Sequence, residues 1–350
     1  MENSMVDTRK ENIVLADCDF SEIQSFVEAM QFHDSPFVSK NHISNFKRTG
    51  KLSELRRYAI YFYTGLRYFL TRKKYGAIVG WQQFYALILC FFCSVFNVKK
   101  HNTVVALNFT YKEKKGRFSK IYRWFMSKCL DKRYLDYIHV PSFEYADAVC
   151  KEFDFDRDRV IVTTFGINDD YDLMSGLEPP IGFEKDSYAL AIGRSNRDYA
   201  FLIKAWEGID YPLVIISDTY KGDVSNDNIT LITNVAGEES YPYISNCGLM
   251  IIPIDDGGIC SGDTVLLTAM SLKRKIIVTA PSTLAEMYVQ DKENALLTQK
   301  DVVTFKATVE KALYDEECAE LGEKARQSFL LDFSRQSMGK KVSLIMNGRA

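Results

Sequence analysis

Residues 246–297 read NCGLMIIPIDDGGICSGDTVLLTAMSLKRKIIVTAPSTLAEMYVQDKENALL, and this stretch decides how the rest of the chain is read. Leu249–Ile254 is a short unbroken apolar run, the mark of a strand buried on both faces of a parallel sheet. Asp255–Ser261 is turn chemistry, with Gly257, Gly258 and Gly262 free to take conformations that other residues avoid. Thr264–Ser271 reads as a helix with Leu266, Leu267 and Met270 on its apolar side. Lys275–Thr279 is the next buried strand, ended by Pro281. A strand, a glycine-bearing loop and a helix start together form an anion site, because free N–H groups and the helix dipole point into the loop. Ser261, Gly262, Asp263 and Thr264 are therefore either a phosphate cradle or an ordinary strand-to-helix connection.

Working outward, strands and helices alternate along the chain, which predicts parallel sheets wrapped by helices. Predicted strands are Asn12–Ala16, Tyr75–Gly80, Thr103–Leu107, Tyr137–Val140, Val160–Thr163, Tyr188–Ile192, Pro212–Ser217 and Ile229–Ile232. Helices are expected over Ser21–Met30 (capped by Ser21), Ser53–Lys74, Trp81–Phe96, Ser119–Leu130, Tyr199–Trp206, Thr283–Val289, Val302–Tyr314 and Glu316–Leu331. The final stretch, Phe333–Met346, is amphipathic and suited to reach back across both domains. With 350 residues, 47% of them hydrophobic, two domains of the usual ~100–200 residues are expected.

Charge is divided unevenly. Residues 1–150 hold 23 Lys and Arg against 14 Asp and Glu, whereas 151–350 hold 21 against 32. Within 40–133 there are 21 basic and 3 acidic residues. This half needs an anionic neighbour: a membrane surface, a phosphorylated lipid or nucleic acid. The helix at 53–74 is basic and aromatic-rich, so it either lies on an anionic bilayer or packs its apolar stripe into a core. The apolar run 81–96 is shorter than the ~20 residues of a membrane span and reads as buried or interfacial. No RNA- or DNA-binding motif is present, and nucleic acid is not an expected partner. The eight cysteines are scattered, and the pair Cys90 and Cys93 sits in an apolar run without a second pair, which argues against a metal site. With no signal peptide before the first strand, reduced thiols in a cytoplasmic protein are expected.

A second loop, Gly193-Arg194-Ser195-Asn196-Arg197-Asp198, sets two arginines between a predicted strand and helix. A guanidinium fork there could grip a diphosphate, or the arginines could form an ordinary surface ion pair with Asp198. The segments YALAIGRSNRDYAFLIKAW (188–206), CGLMIIPI (247–254), SGDTVLLTAMSLKRKIIVT (261–279), TLAEMYVQDKENALL (283–297) and LGEKARQSFLLDFS (321–334) resemble the GT-B glycosyltransferases. The likeness is greatest to family 4 and its relatives in bacterial polysaccharide synthesis. PSFEYADAVCKEF (141–153) and VIVTTFGI (160–167) are similar to the lead-in of that domain.

The resemblance implies an α/β architecture of two Rossmann-like domains with parallel sheets facing a cleft. Residues 1–155 would bind acceptor, 156–332 the nucleotide-sugar donor, and 333–350 would form a C-terminal helix crossing back. It further implies donor contacts from Gly193, Arg194, Arg197, Ser261, Gly262, Asp263 and Thr264. The chemistry implied is sugar transfer from a nucleotide-diphosphate sugar, foremost a UDP-sugar, to a hydroxyl of a glycan or polyprenyl-pyrophosphate-linked acceptor. Capsule or exopolysaccharide synthesis would be the setting, with the protein cytoplasmic and peripheral on the inner face of the membrane. Neither cofactor nor metal is expected. The sequence departs from the family's two glutamates: Cys260 and Thr268 stand at or near those positions, leaving Asp263, Asp255 or Asp256 as substitutes. Asp17 and Asp19, after the first strand, are the candidate general bases, with Asp263 the third catalytic candidate. A catalytically silent relative acting as partner subunit or sugar-nucleotide binder is the alternative. Two Asp-x-Asp triplets, at 17–19 and 154–156, resemble metal motifs of another transferase fold but lie in the wrong context for that role.

Overall fold

The computed structural model describes residues 10–44, 50–114, 116, 118–224 and 226–348. The chain divides into two compact units, residues 1–164 with 335–350, and residues 165–334.

In the first unit the strands are β1 (Glu11–Ala16), β2 (Gln31–Phe32), β3 (Ser35–Asn41), β4 (Tyr75–Gly80), β5 (Thr103–Ala106), β6 (Tyr137–Val140) and β7 (Val160–Val162). They form one sheet in the order β2-β3-β1-β4-β5-β6-β7, parallel except for the β2–β3 hairpin. Its helices are α1 (Phe20–Ala29), α2 (Lys51–Thr71), α3 (Gln83–Val95), α4 (Ser119–Cys129) and α5 (Phe143–Phe153). α2, α3 and α4 pack through aromatic contacts such as Phe62 on Phe125 (5.9 Å) and Phe69 on Phe92 (5.6 Å). Among the described residues no helix is long and apolar enough to cross a membrane.

The edge hairpin β2–β3 was not expected, because SPFVSKN carries a proline and little apolar alternation. It is held from the inside by buried Asn12, whose Nδ2 donates to the carbonyls of Phe32 (3.2 Å) and Ser35 (3.3 Å). The first helix starts one residue before Ser21, at Phe20, with Asp19 as its cap.

The second unit has β8 (Ala189–Ile192), β9 (Leu213–Ile216), β10 (Ile229–Ile232), β11 (Leu249–Ile252), β12 (Lys275–Ala280) and β13 (Leu296–Gln299). All are parallel, in the order β10-β9-β8-β11-β12-β13. Numbered within the unit this is 3-2-1-4-5-6, the doubly wound order, so the topological switch point falls between β8 and β11. Its helices are α6 (Tyr171–Met174), α7 (Tyr199–Trp206), α8 (Tyr241–Asn246), α9 (Asp263–Ser271), α10 (Thr283–Tyr288), α11 (Val302–Tyr314) and α12 (Leu321–Ser328). The single helix expected over 316–331 is instead broken: a 3-10 turn at Glu316–Cys318, then α12, then a wider π turn at Phe329–Phe333. Both Phe329 and Phe333 are thereby turned into the core. The last helix, α13 (Arg335–Met346), belongs to the first unit and lies on α1. Gly339 permits the approach, since a Cβ there would stand 2.6 Å from the Phe26 carbonyl oxygen.

His139, at the end of β6, is buried and neutral. The Asn108 N–H donates to its Nδ1 (3.2 Å), and its Nε2 lies 3.0 Å from the Thr163 carbonyl oxygen. Nδ1 must therefore stay unprotonated, and burial pushes the imidazole down to about 4. The unfolded chain, with an ordinary imidazole near 6.5, takes up the proton first. The group's contribution is complete above that value and is lost as pH falls towards 4, about 3 kcal/mol in all. Melting temperature should fall from pH 7.5 to 5 in the native chain and fall less in His139→Gln. Identical pH profiles would refute this.

Candidate functional site

The two loops singled out by sequence leave β8 and β11, the strands that flank the switch point of the second unit. Ligands of open parallel sheets bind at such a point, beyond the carboxyl ends of the strands. The loops are joined to each other by main-chain and side-chain bonds. Asn196 Oδ1 accepts from the Asp256 N–H (2.7 Å), and its Nδ2 donates to the carbonyl of Asp256 (3.0 Å) and to Ser261 Oγ (2.9 Å). The Asp198 N–H donates to the Pro253 carbonyl (2.8 Å). Asp198 itself caps α7 through the Phe201 N–H (2.9 Å) and receives Lys300 Nζ at 2.6 Å. A cap of this kind contributes about 1 kcal/mol to its helix.

Arg197 occupies the space between the loops. A Cβ on Gly193 would lie 2.8 Å from its Nε, and one on Gly262 would lie 2.5 Å from its Nη2. Both glycines have positive φ, +155° and +95°, so each position requires glycine for its backbone and for the room it leaves. Nη1 donates to the carbonyls of Ser195 (3.1 Å) and Asn196 (3.3 Å), while Nε is buried without a hydrogen-bond partner. Burial disfavours the charge on this guanidinium, with Tyr199 and Asp263 acting in the opposite sense. A buried donor without an acceptor is costly, so this cation fits a site that receives an anion.

Arg194 takes the opposite posture. Its side chain is two-thirds exposed, 3.9 Å from Asp218, and its carbonyl accepts from Thr219 Oγ1 at 2.8 Å. Arg194, Gly193 and Thr264 line one cavity of about 340 Å³, together with Asp218, Gly237 and Thr268. Gly262 caps α9, and the Leu266 N–H makes the first helical bond to its carbonyl (2.9 Å). Asp263 is the first residue of α9 and accepts from the Thr264 N–H (2.9 Å). Of the residues expected at a donor site, Gly193, Arg194, Arg197, Ser261 and Gly262 lie on these two joined loops, and Asp263 and Thr264 open the helix that follows. Where the resembled family has carboxylates, Thr268 is buried against the cavity and Cys260 is exposed. Asp218 and the 235–241 segment are cavity residues that sequence reasoning missed. Their signal was positional only: Asp218 stands two residues past β9, at a carboxyl end.

Asp17 and Asp19 belong to the first unit. Asp17 follows β1, and its Oδ2 accepts from Gln82 Nε2 (2.9 Å) and Ser44 Oγ (3.1 Å). Gln82 follows β4, so this pair also marks the point where strand order reverses, between β1 and β4. Asp19 is exposed at the start of α1, where its N–H donates to Glu22 Oε1 (3.2 Å). Among the described residues no group of three or more His, Cys, Asp or Glu side chains could hold a metal ion.

No family model matches this sequence, and no curated protein matches it either. Solved structures do match in fold. A glycosyltransferase from Rickettsia africae ESF-5 aligns with a TM-score of 0.60 at 11% identity, over 97% of this chain and 98% of that one. Anabaena HepE in complex with UDP and glucose aligns at 0.55 and 12% identity, over 95% and 98%. The lipopolysaccharide outer core galactosyltransferase WaaB aligns at 0.58 and 11%, over 97% and 100%. This chain therefore has the two-domain α/β fold of the GT-B glycosyltransferases.

Proposed function

We propose that this chain transfers a sugar from a nucleotide-diphosphate sugar to a hydroxyl of a membrane-anchored or glycan acceptor. The observation that carries the proposal is the cavity at the switch point of the second unit, with Arg194 and Thr264 on its wall and Arg197 braced behind two glycines. A UDP-sugar is the favoured donor, supported by the UDP held in the similarly folded HepE. Bacterial cell-surface polysaccharide synthesis is the favoured setting, supported by the fold shared with a lipopolysaccharide galactosyltransferase.

In the transfer, the bond from the sugar C1 to the diphosphate oxygen breaks as the ring gains positive character, and an acceptor hydroxyl attacks C1. The electron pair leaves with the diphosphate. Fixed cations and the start of α9 stabilise that developing charge without reorganising. Arg194 would meet the phosphates directly, Arg197 would hold the loop and add field, and Ser261 to Thr264 would supply the helix start. In an inverting transfer the acceptor proton goes to a general base, for which Asp17 is favoured over Asp19 because two donors orient it. In a retaining transfer the leaving phosphate takes that proton on the same face. Asp263 would replace the carboxylate absent at Thr268. No metal or other cofactor is assigned a step.

A second reading, a silent sugar-nucleotide binder or partner subunit, is favoured by Thr268 and Cys260 at the carboxylate positions. Nucleotide release from a panel of UDP-, GDP- and dTDP-sugars with acceptor lipid separates the two. Turnover is expected, and binding without turnover would favour the silent reading. Arg194→Ala, at an exposed side chain, should leave the melting temperature unchanged and lower kcat/KM by roughly 10²–10³-fold. Gly262→Val should also abolish UDP binding, at a folding cost of about 1–3 kcal/mol from backbone strain alone. Unaltered kinetics in both variants would remove the two loops from the site.

The same reading places the first unit at a membrane. α2 exposes Leu52, Leu55, Tyr63 and Leu70, and α4 exposes Ile121 and Trp124, within the basic region 40–133. We expect the protein to co-sediment with vesicles containing anionic phospholipid at low ionic strength and to be released by salt. Absence of co-sedimentation at low salt would eliminate this docking.

A further inference from the structure

A cavity of about 700 Å³ lies wholly in the first unit, between α2, residues 82–88, the segment 110–114 and α4. That volume is in the range of ~300–1,000 Å³ typical of small-molecule sites. Aromatic side chains make up about half of its wall. Tyr61 stacks on Phe84 (centroids 5.3 Å apart), Tyr111 on Tyr122 (5.8 Å), and Phe62 meets Phe125 (5.9 Å). Its outer end is lined by Phe118, Ile121 and Trp124, each more than half exposed. Burying such faces against hydrocarbon is favourable at about 25 cal/mol per Å², so the wall is built for an apolar guest.

Two further features restrict the guest. Arg57, Lys112 and Lys114 line the same cavity, and among its described lining residues none is acidic. Arg57 pairs with Glu54 at 2.5 Å, yet its Nε is buried without a hydrogen-bond partner. Lys114 Nζ stands 5.8 Å from the Tyr122 ring centre. The other feature is position. Gln82 lines the cavity and donates to Asp17 Oδ2 at 2.9 Å, so one end of the space reaches the residue that orients the favoured general base. Gln83 and Thr110 fix the neighbouring wall through paired bonds of 2.9 and 3.1 Å.

We infer that this cavity holds the hydrocarbon chain of an anionic single-chain lipid phosphate, the carrier of the acceptor hydroxyl. The inference rests on the transferase reading above and adds the site at which the acceptor's lipid is recognised. The chain lies along Phe62, Ile121 and Trp124, the phosphate meets Arg57 and the two lysines, and the glycan end points to Gln82 and Asp17. Recognition of this kind takes the lipid out of the bilayer plane, whereas surface adsorption reads only its charge.

The test is calorimetric titration of the full chain with farnesyl phosphate, with inorganic phosphate and UDP titrated in parallel. Saturable farnesyl phosphate binding is expected, far tighter than that of inorganic phosphate. Ile121→Glu places a carboxylate at the exposed mouth and should weaken it by roughly tenfold or more, with UDP affinity and melting temperature unchanged. Lys114→Glu should weaken it as well, through the phosphate. Equal affinity for inorganic phosphate, or no effect of Ile121→Glu, would overturn the inference. UDP binding without farnesyl phosphate binding would overturn it alone and leave the transferase reading standing, whereas failure to bind UDP would count against that reading.

Discussion

The second unit is organised around one guanidinium set between two glycines. Arg197 leaves the loop after β8, passes behind Gly193 and ends against Gly262, so neither loop can move without disturbing the other. Its hydrogen bonds go mainly to carbonyls of its own loop, and no side chain of ordinary size could replace either glycine. The folded state thereby carries a cation with an unsatisfied buried donor beside a cavity. A buried donor without an acceptor costs free energy, which an anion within reach of it would offset. Arg194, exposed on the same loop 3.9 Å from Asp218, carries no such cost.

The first unit shares the reversal of strand order but carries different chemistry there. Its strand order also reverses beside the first strand, and the residues at that reversal are Asp17 and Gln82, an acceptor and a donor already bonded to each other. Helix faces that would be polar in an ordinary α/β domain are aromatic and basic here, on α2 and α4. The excess of lysine and arginine over residues 40–133 is therefore not spread over an inert surface. Arg57, Lys112 and Lys114 line the same cavity as the exposed Ile121 and Trp124.

The parallel sheets were legible in the sequence because strands buried on both faces read as unbroken apolar runs: LVII, LMII and KIIV needed no tertiary information. The two site loops were legible for a related reason, since glycine and arginine between a strand and a helix have few structural uses. What could not be read was anything decided by distant packing. The β2–β3 edge depends on Asn12, some twenty residues away, and the break in the helix after Glu316 follows from turning Phe329 and Phe333 into the core. The role of Arg197 as a brace was equally hidden. Its residue type suggested a ligand contact or a pair with Asp198, and only the missing Cβ atoms of Gly193 and Gly262 reveal what it fills. Asp198 is instead engaged by Lys300 and the start of α7.

If the chain is the transferase proposed above, Thr268 and Cys260 in place of carboxylates would bear on specificity more than on the capacity for transfer. A glutamate beside a sugar hydroxyl selects among sugars, because an unpaired buried acceptor penalises the wrong isomer. Departure of a diphosphate depends instead on positive charge near its oxygens, and Arg194, Arg197 and the start of α9 are all retained. Removing two negative charges from this neighbourhood strengthens the positive field on the phosphates while relaxing the grip on the sugar. Asp263 restores one charge next to Arg197, where it also counters the effect of burial on that guanidinium. On the proposed transferase reading, the cavity would be more strongly committed to the diphosphate than to the sugar attached to it, and selection of the sugar would come from residues other than a glutamate pair.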